Sequence, residues 1–454
     1  MNPHARFECR RLYPLIFFDF GVQTVLNKSI MHDFIYRGAD LYAEDVPLEE
    51  LGREYGTPLY VYSKRTLVRH IRAYGDAFGG AQSHGDQPPT GGIVSFALKA
   101  NSNGAILRLL ASEGAGADIV SGGELFRALR AGIPASKIVY AGVGKTADEI
   151  AYALKKNILM FNVESDEELE KINRVAGMTG RKAPVALRVN PDVDPLTHPY
   201  ISTGMKKYKF GMPMEDALEF YMKARRMENI EVVGIHEHIG SQITQVAPFR
   251  DALEKVLALM ERLRGSGIKL RYLDLGGGLG IRYRRGEGEK PPLPAALAKS
   301  LLPLVKGRGL TVIVEPGRSV VGNAGVLLTR CLYRKKTSRK RFVIVDAGMN
   351  DLIRPSLYGA YHEIIPVRKS RRAALKVDVV GPICESGDFL ATDRRMPAVM
   401  PGELLCVLGA GAYGFSMSSN YNSRPHPAEV MVDGGEHRLI RKRGTYRDLV
   451  RGEL

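Results

Sequence analysis

The run Ser95-Phe96-Ala97-Leu98-Lys99-Ala100-Asn101 delivers a lone lysine to the end of an apolar stretch, where the chain turns small and polar. Ile93 to Leu98 reads as a strand buried on both faces, and an ammonium at its end needs either water or a reason to lose its proton. A lysine whose pKa is lowered by burial becomes a nucleophile toward aldehydes, which points to imine chemistry. A lysine that snorkels to solvent past the strand end is the plain alternative, and this stretch alone does not choose between them.

Other reactive types occur at comparable places. Asp118, followed by Ser121-Gly122-Gly123-Glu124, closes one apolar run, and His236-Glu237-His238-Ile239-Gly240-Ser241 closes another. Gly276-Gly277-Gly278 removes three side chains in succession, so backbone amides can approach an anion closely. Glu315-Pro316-Gly317-Arg318 sets a carboxylate at the end of a buried strand, beside an amide-bearing turn and a guanidinium. A buried carboxylate needs a partner, either a pyridinium nitrogen or a structural arginine. His238 can stack on a flat ring, whereas His236 reads as a satisfied core histidine; the pair lacks a third ligand cluster, so no metal is expected. Further along, Gly381 to Asp388 places Cys384 beside Glu385 in a turn too polar to bury a thiol. Asp346 to Asp351 leads into Arg354 and Tyr358, and Gly409 to Ser419 carries Tyr413 among small residues. Both stretches read as site loops.

What would position these groups is a repeating rhythm of strand and helix. Strand-length apolar runs fall at Ile93 to Leu98, Ala117 to Val120, Lys137 to Ala141, Ile158 to Val163, Pro184 to Val189, Val232 to His238, Leu270 to Leu275 and Thr311 to Val314, with helical patterns between them. Eight such units predict an α/β chain built on a closed (β/α)8 TIM-like barrel over 57–318. In that fold chemistry belongs to the C-terminal strand ends, and nearly every polar or glycine cluster named above falls there; phosphate sites follow strands seven and eight. Beyond Arg318 strand-like runs predominate, at Phe342 to Ala347, Leu375 to Val380, Glu403 to Leu408 and Ala428 to Val432. A second, all-β barrel-like domain over 319–454 is expected, completed by the segment 31–56. Residues 1–30 look foreign to the fold, and Gly79 to Gly92 reads as a surface loop.

With 454 residues, 44% hydrophobic and 25% charged, the chain has the makings of two globular domains. Cys9, Cys331, Cys384 and Cys406 follow neither metal nor disulfide spacing, which suits a reducing cytoplasm. No run is long enough for a membrane span, and the apolar stretch after Arg10-Arg11 is too short, and too broken by Pro14, for a secretory signal. The net charge of +16 gathers at Arg334 to Arg341, Arg368 to Arg372 and Arg438 to Arg443 without interleaved aromatics, so solvated faces are expected rather than nucleic-acid binding.

Taken in order, Phe96 to Asn101, His238 to Gln242, Asp274 to Gly280, Glu315 to Gly325, Asp346 to His362, Gly381 to Phe389 and Gly411 to Asn422 resemble the motifs of the fold-type III pyridoxal-phosphate decarboxylases. The resemblance runs from about Met31 to the C-terminus. It implies pyridoxal 5'-phosphate as cofactor, Lys99 as its imine-forming lysine, His238 as the ring against its face and Glu315 as the partner of its nitrogen. It implies that Asp118, Ser241, Gly276, Gly277, Gly278, Gly317, Arg318 and Tyr413 line the cofactor site. Arg318, Arg354, Tyr358, Glu385 and Tyr413 resemble substrate-binding residues, and Cys384 the acid that returns a proton to the α-carbon. The Cys384 loop of this family enters a neighbouring subunit, so a homodimer with shared sites is implied. Arginines suit a second carboxylate, because their planar fork binds it in two places. Meso-diaminopimelate, giving L-lysine and carbon dioxide, is therefore the expected substrate. The alternatives are ornithine, arginine or carboxynorspermidine, or a non-catalytic relative that only binds the cofactor.

Overall fold

The computed structural model describes residues 32–79, 91–194, 209–284 and 290–454. The N-terminal extension, most of the Gly79 to Gly92 loop and Cys9 therefore lie outside the described residues. From His32 the chain opens with three short strands, β1 (Phe34–Arg37), β2 (Asp40–Ala43) and β3 (Val46–Pro47), and helix α1 (Leu48–Glu54). These strands form a sheet of their own. Their apolar residues, with Leu48 and Leu51 of α1, share one core with Val326, Leu328, Leu404 and Val430. The segment expected to complete the β domain thus covers its main sheet rather than adding a strand to it.

β4 (Leu59–Ser63) and helix α2 (Lys64–Phe78) follow, with Ser63 capping the helix by accepting from Thr66 N–H. Then come the barrel strands β5 (Ile93–Ala97), β6 (Gly116–Ile119), β7 (Ile138–Tyr140), β8 (Met160–Val163) and β9 (Ala183–Asn190), the two-residue β10 (Met212–Pro213) beside β9, and β11 (Ile230–His236), β12 (Tyr272–Asp274) and β13 (Thr311–Val314). All pair in parallel, and β13 pairs with β5, so the eight-stranded ring closes. Each predicted strand is present. The alternating faces explain how: Ile93, Val139, Met160, Ala186, Val233 and Ile313 form a small separate cluster, while Phe96, Tyr140, Phe161 and Val185 belong to the core shared with the helices.

The second domain is built from β14 (Gly325–Lys336), β15 (Arg341–Val345), β16 (Ile364–Pro366), β17 (Ala374–Val380), β18 (Phe389–Pro397), β19 (Leu404–Val407), β20 (Ala428–Asp433) and β21 (Glu436–Arg441). The main path runs β18-β17-β15-β14-β4-β20-β21, with β19 also on β14 and β16 on β19. β4 falls inside the span expected for the barrel, 57–318, yet it pairs antiparallel with β14 and parallel with β20. Its five residues are all buried. An apolar run of that kind carries no mark of which sheet it joins. The basic run Arg334 to Arg341 is the outer half of β14, the turn and the start of β15, where Lys336 lies opposite Arg341. Exposure of that hairpin lets it be charged.

One buried carboxylate ties the layers together. Glu429 of β20 is fully buried and accepts from Tyr62 Oη at 2.8 Å, from Asn103 Nδ2 at 2.8 Å and from Arg441. Asn103 is the N-cap of the first barrel helix after Lys99, α3 (Gly104–Ser112). Replacing Glu429 by alanine strands those donors, and we expect a loss of about 3 kcal/mol in urea-induced unfolding. A loss below about 1 kcal/mol would show that the tie is dispensable.

Candidate active site

Lys99 sits in a single 3-10 turn, Leu98–Ala100, directly after β5. The turn is held from the other domain: Tyr413 N–H donates to the Ala100 carbonyl at 2.9 Å, and Asn101 Nδ2 donates to the Gly411 carbonyl at 3.1 Å. The lysine side chain faces a cleft of about 410 Å3. His238, Ser241, Arg318, Arg354, Tyr358 and Tyr413 line the same cleft, as do Gln242, Tyr283 and Tyr361. Seven of the residues singled out from sequence are therefore brought together in one cleft between the domains.

On the barrel side the cleft is acidic. Lys99 Nζ donates to Asp118 Oδ2 at 2.5 Å. Glu315 lies 3.7 Å from His236 Nε2, and Asn162 Nδ2 reaches both Asp274 Oδ2 at 3.0 Å and Glu315 Oε1 at 3.3 Å. Burial alone would lower the Lys99 pKa, but the charges of Asp118 and Glu315 outweigh it and hold the amine above the usual lysine range. Burial, the influence weighed from sequence, favours loss of the proton, and the neighbouring carboxylates favour keeping it. Burial, reinforced by Glu315, pushes Asp118 up to about 7 and Asp274 well above the carboxylate range. Glu315 would also be raised by burial, yet His236 and Lys99 hold it low. It is the carboxylate that keeps its charge. His236 is not the satisfied core histidine expected, since neither ring nitrogen finds a hydrogen-bond partner and its nearest charge is Glu315.

The glycine run makes room rather than offering three free amides. A Cβ at Gly277 would sit 2.2 Å from the Glu315 carbonyl oxygen, and one at Gly276, whose φ is +61°, 2.5 Å from that of Glu237. Gly276 N–H already donates to Asp274 Oδ1 at 3.0 Å and Gly277 N–H to His238 Nδ1 at 3.1 Å, which leaves Gly278 to meet an anion. Burial and the nearby Arg188 and Lys99 push His238 well below the usual histidine range, so it presents a neutral flat ring. A Cβ at Gly317 would sit 3.1 Å from the side chains of both Ala97 and Ala100, so the turn after β13 fits closely against the Lys99 turn.

Two buried guanidiniums line the same cleft. Arg318 donates to Ser241 Oγ at 2.9 Å and to Tyr283 Oη at 2.7 Å, and its guanidinium lies 4.9 Å from the Tyr413 ring. Arg354 donates to His362 Nε2 at 2.8 Å and lies 4.8 Å from the Tyr283 ring. Among the described residues neither meets a carboxylate within ion-pair distance. Burial would raise the Tyr283 phenol, but the two arginines outweigh it and bring it below its ordinary value. Cys384 and Glu385 do not join this cleft; both are exposed, with Cys384 N–H donating to Asn422 Oδ1 at 2.8 Å. Tyr283, Asn162, Asp274 and His362 are site residues that the sequence reading did not single out. A polar residue inside the four-residue apolar strand Met160–Val163 was the available signal for Asn162. A primary amine, a protected carboxylate, a flat neutral ring and a glycine-lined notch together suit a phosphorylated aromatic aldehyde such as pyridoxal phosphate.

Known proteins agree with this arrangement. A family model for the pyridoxal-binding domain of pyridoxal-dependent decarboxylases matches residues 68–322. Diaminopimelate decarboxylase of Aquifex aeolicus is 52% identical over 419 residues, covering 92% of this chain and 97% of that protein. The Pseudomonas aeruginosa enzyme of the same name is 52% identical over 423 residues, or 93% of this chain and 99% of the relative. Among solved structures, diaminopimelate decarboxylase from Helicobacter pylori complexed with L-lysine has a TM-score of 0.83 at 45% identity, covering 89% of this chain and 98% of that one. The one from M. jannaschii in co-complex with L-lysine has a TM-score of 0.87 at 39% identity, covering 94% and 98%.

Glu237, at the rim between the two histidines, has a carboxyl oxygen that is buried without a partner, and burial raises its pKa to about 8. The folded protein then binds a proton that the unfolded chain releases near pH 4.5. Its contribution to stability should therefore fall as pH rises from about 4.5 to 8. We expect Glu237→Gln to be the more stable protein at pH 8.5 and equal to wild type near pH 4, by thermal melts across that range. A constant difference at every pH would show that the carboxyl is not titrating as described.

Proposed function

The chain belongs to the diaminopimelate decarboxylases of the pyridoxal-dependent decarboxylase family, and from that premise we infer how its own residues divide the conversion of meso-2,6-diaminopimelate to L-lysine and carbon dioxide. The chemistry supplied by bound pyridoxal phosphate is capture of an amine at its aldehyde and uptake, in its ring, of the electron pair left when carbon dioxide departs. Lys99 is the amine that holds the cofactor. Asp118 accepts the hydrogen bond of Lys99 Nζ at 2.5 Å and orients that amine in the cleft. Glu315 stays ionised and holds the proton of the ring nitrogen, braced by Asn162 and His236. His238 supplies the flat neutral surface, while Ser241, Gly278, Gly317 and Tyr413 take the phosphate end.

The observation that carries the substrate reading is the pair Arg318 and Arg354, buried in the cleft of Lys99 with no carboxylate facing either among the described residues. Two desolvated guanidiniums call for anions. The phosphate satisfies one, and a second carboxylate on an amino-acid substrate satisfies the other. Arg354 with Tyr358 binds that distal carboxylate, and Arg318 stands between the two anions. An ornithine-type substrate has no distal carboxylate to offer.

Cys384 and Glu385 complete the reading from a second subunit. The thiol returns the proton to the α-carbon, and Glu385 receives the distal ammonium. Their exposure, outside the cleft of their own chain, supports a homodimer in which each protomer lends this loop to its partner. No described helix is long and apolar enough to cross a membrane. Among the described residues Cys331, Cys384 and Cys406 form no disulfide, which supports a cytoplasmic setting.

Purified protein given pyridoxal phosphate and meso-diaminopimelate should release carbon dioxide and L-lysine, and Lys99→Ala should abolish both products and the absorbance of covalently held cofactor. Lysine formation that survives Lys99→Ala would overturn the assignment. Mixing inactive Lys99→Ala and Cys384→Ala chains should restore about a quarter of wild-type activity, because half the dimers are mixed and each of those has one intact site. No restoration would separate Cys384 from a shared site.

A further inference from the structure

We propose that His362 is a positioning residue that sets selectivity for the substrate's distal carboxylate, by orienting Arg354 without neutralising it. This rests on the reading of Arg354 as the carboxylate-binding residue. His362 is fully buried. Its Nδ1 is 2.9 Å from the Leu408 carbonyl and its Nε2 is 2.8 Å from Arg354 Nη1. A carbonyl only accepts and a guanidinium only donates, so the two contacts fix the proton on Nδ1 and leave the Nε2 lone pair for Arg354. A protonated imidazole would drive an N–H against the arginine's own N–H. The ring is therefore locked neutral by both neighbours at once.

The usual way to hold a buried arginine is a carboxylate, which cancels the charge as it fixes the geometry. Here the work is done by neutral groups. His362 takes one N–H, and the Tyr283 ring lies against the guanidinium face while its edge meets His362 at a centroid distance of 5.2 Å. The backbone of His362 is itself held, its carbonyl accepting from Arg394 Nη1 at 2.9 Å. Arg354 is thereby fixed in direction while its full charge stays available to a ligand. A rigid cation of this kind favours a ligand bearing a carboxylate over the same ligand without it.

The test uses holoenzyme and two ligands that differ by one carboxylate, L-lysine and cadaverine, titrated by the change in cofactor absorbance. His362→Phe keeps the ring and removes the acceptor; His362→Asp adds a charge that pairs with Arg354; His362→Gln restores an acceptor on a flexible stem. We expect Phe and Asp each to weaken L-lysine by about tenfold, with cadaverine unchanged, and Gln to recover part of the loss. KM for meso-diaminopimelate should rise in parallel while kcat changes less. Equal weakening of both ligands, or L-lysine binding unaltered in the Asp variant, overturns the role of His362. Failure of wild-type holoenzyme to prefer L-lysine over cadaverine would instead remove the reading of Arg354 on which the role depends. Should the Phe and Asp variants not fold, Gln decides alone: unchanged selectivity, with a weaker acceptor on a freer side chain, counts against the proposal.

Discussion

Arg318 and Arg354 are both buried, and among the described residues no carboxylate balances either of them within ion-pair distance. Removing a guanidinium from water costs several kcal/mol even after relaxation, so the surrounding fold has to supply neutral acceptors: Ser241 and Tyr283 for one, His362 for the other. Across the cleft the opposite condition holds, with Asp118, Asp274 and Glu315 buried near a single lysine and two histidines. The cleft thus holds both signs of charge: the acids gather around Lys99, Arg318 sits at the barrel rim against Ser241, and Arg354 comes from the second domain. A ligand that is cationic at one end and anionic at the other has one favourable direction in such a field.

That arrangement is a product of topology. The acids sit at the ends of barrel strands, where closure brings Asp118 of β6, Asp274 of β12 and Glu315 just after β13 toward one axis. Arg318 begins the short helix that leads out of the barrel, Arg354 begins the short helix Arg354–Tyr358 of the second domain, and His362 lies between that helix and β16. The barrel supplies the acids and Arg318, and the second domain supplies Arg354. Hence the ties between them, Tyr413 to Ala100, Asn101 to Gly411 and the Glu429 cluster, bear on chemistry as well as stability. A small slip of one domain on the other would alter the separation of Arg354 from Lys99, and Coulombic terms at these distances are steep.

The barrel was legible because parallel strands buried on both faces must be apolar throughout, and the rim residues stood out as polar interruptions at their ends. The edges of the second domain were not. β18 carries Asp393, Arg394 and Arg395, and β21 has no buried residue, so neither shows the continuous apolar signature that marks a buried strand. β4 was equally apolar in either assignment, and only the pairing partner decides. Within the site, Tyr283 was hidden between Arg282 and Arg284, and His362 behind Tyr361, in stretches without periodicity. Cys384 was readable as exposed from its turn, because exposure depends on local composition.

The charge state of Lys99 was the least legible feature, for a physical reason. Burial of a lysine argues for loss of its proton, and the strand pattern reports burial well. The sign of the shift is set by Asp118 and Glu315, which reach the amine from separate strands of the closed ring. At short range inside a protein, one opposite charge contributes on the order of the whole desolvation penalty, and two exceed it. An ammonium so held is a poor nucleophile. Asp118, 2.5 Å away, is the weaker base of the two and holds the proton on the amine rather than removing it. Burial alone would release the proton, and the two carboxylates that ring closure brings to the amine keep it there.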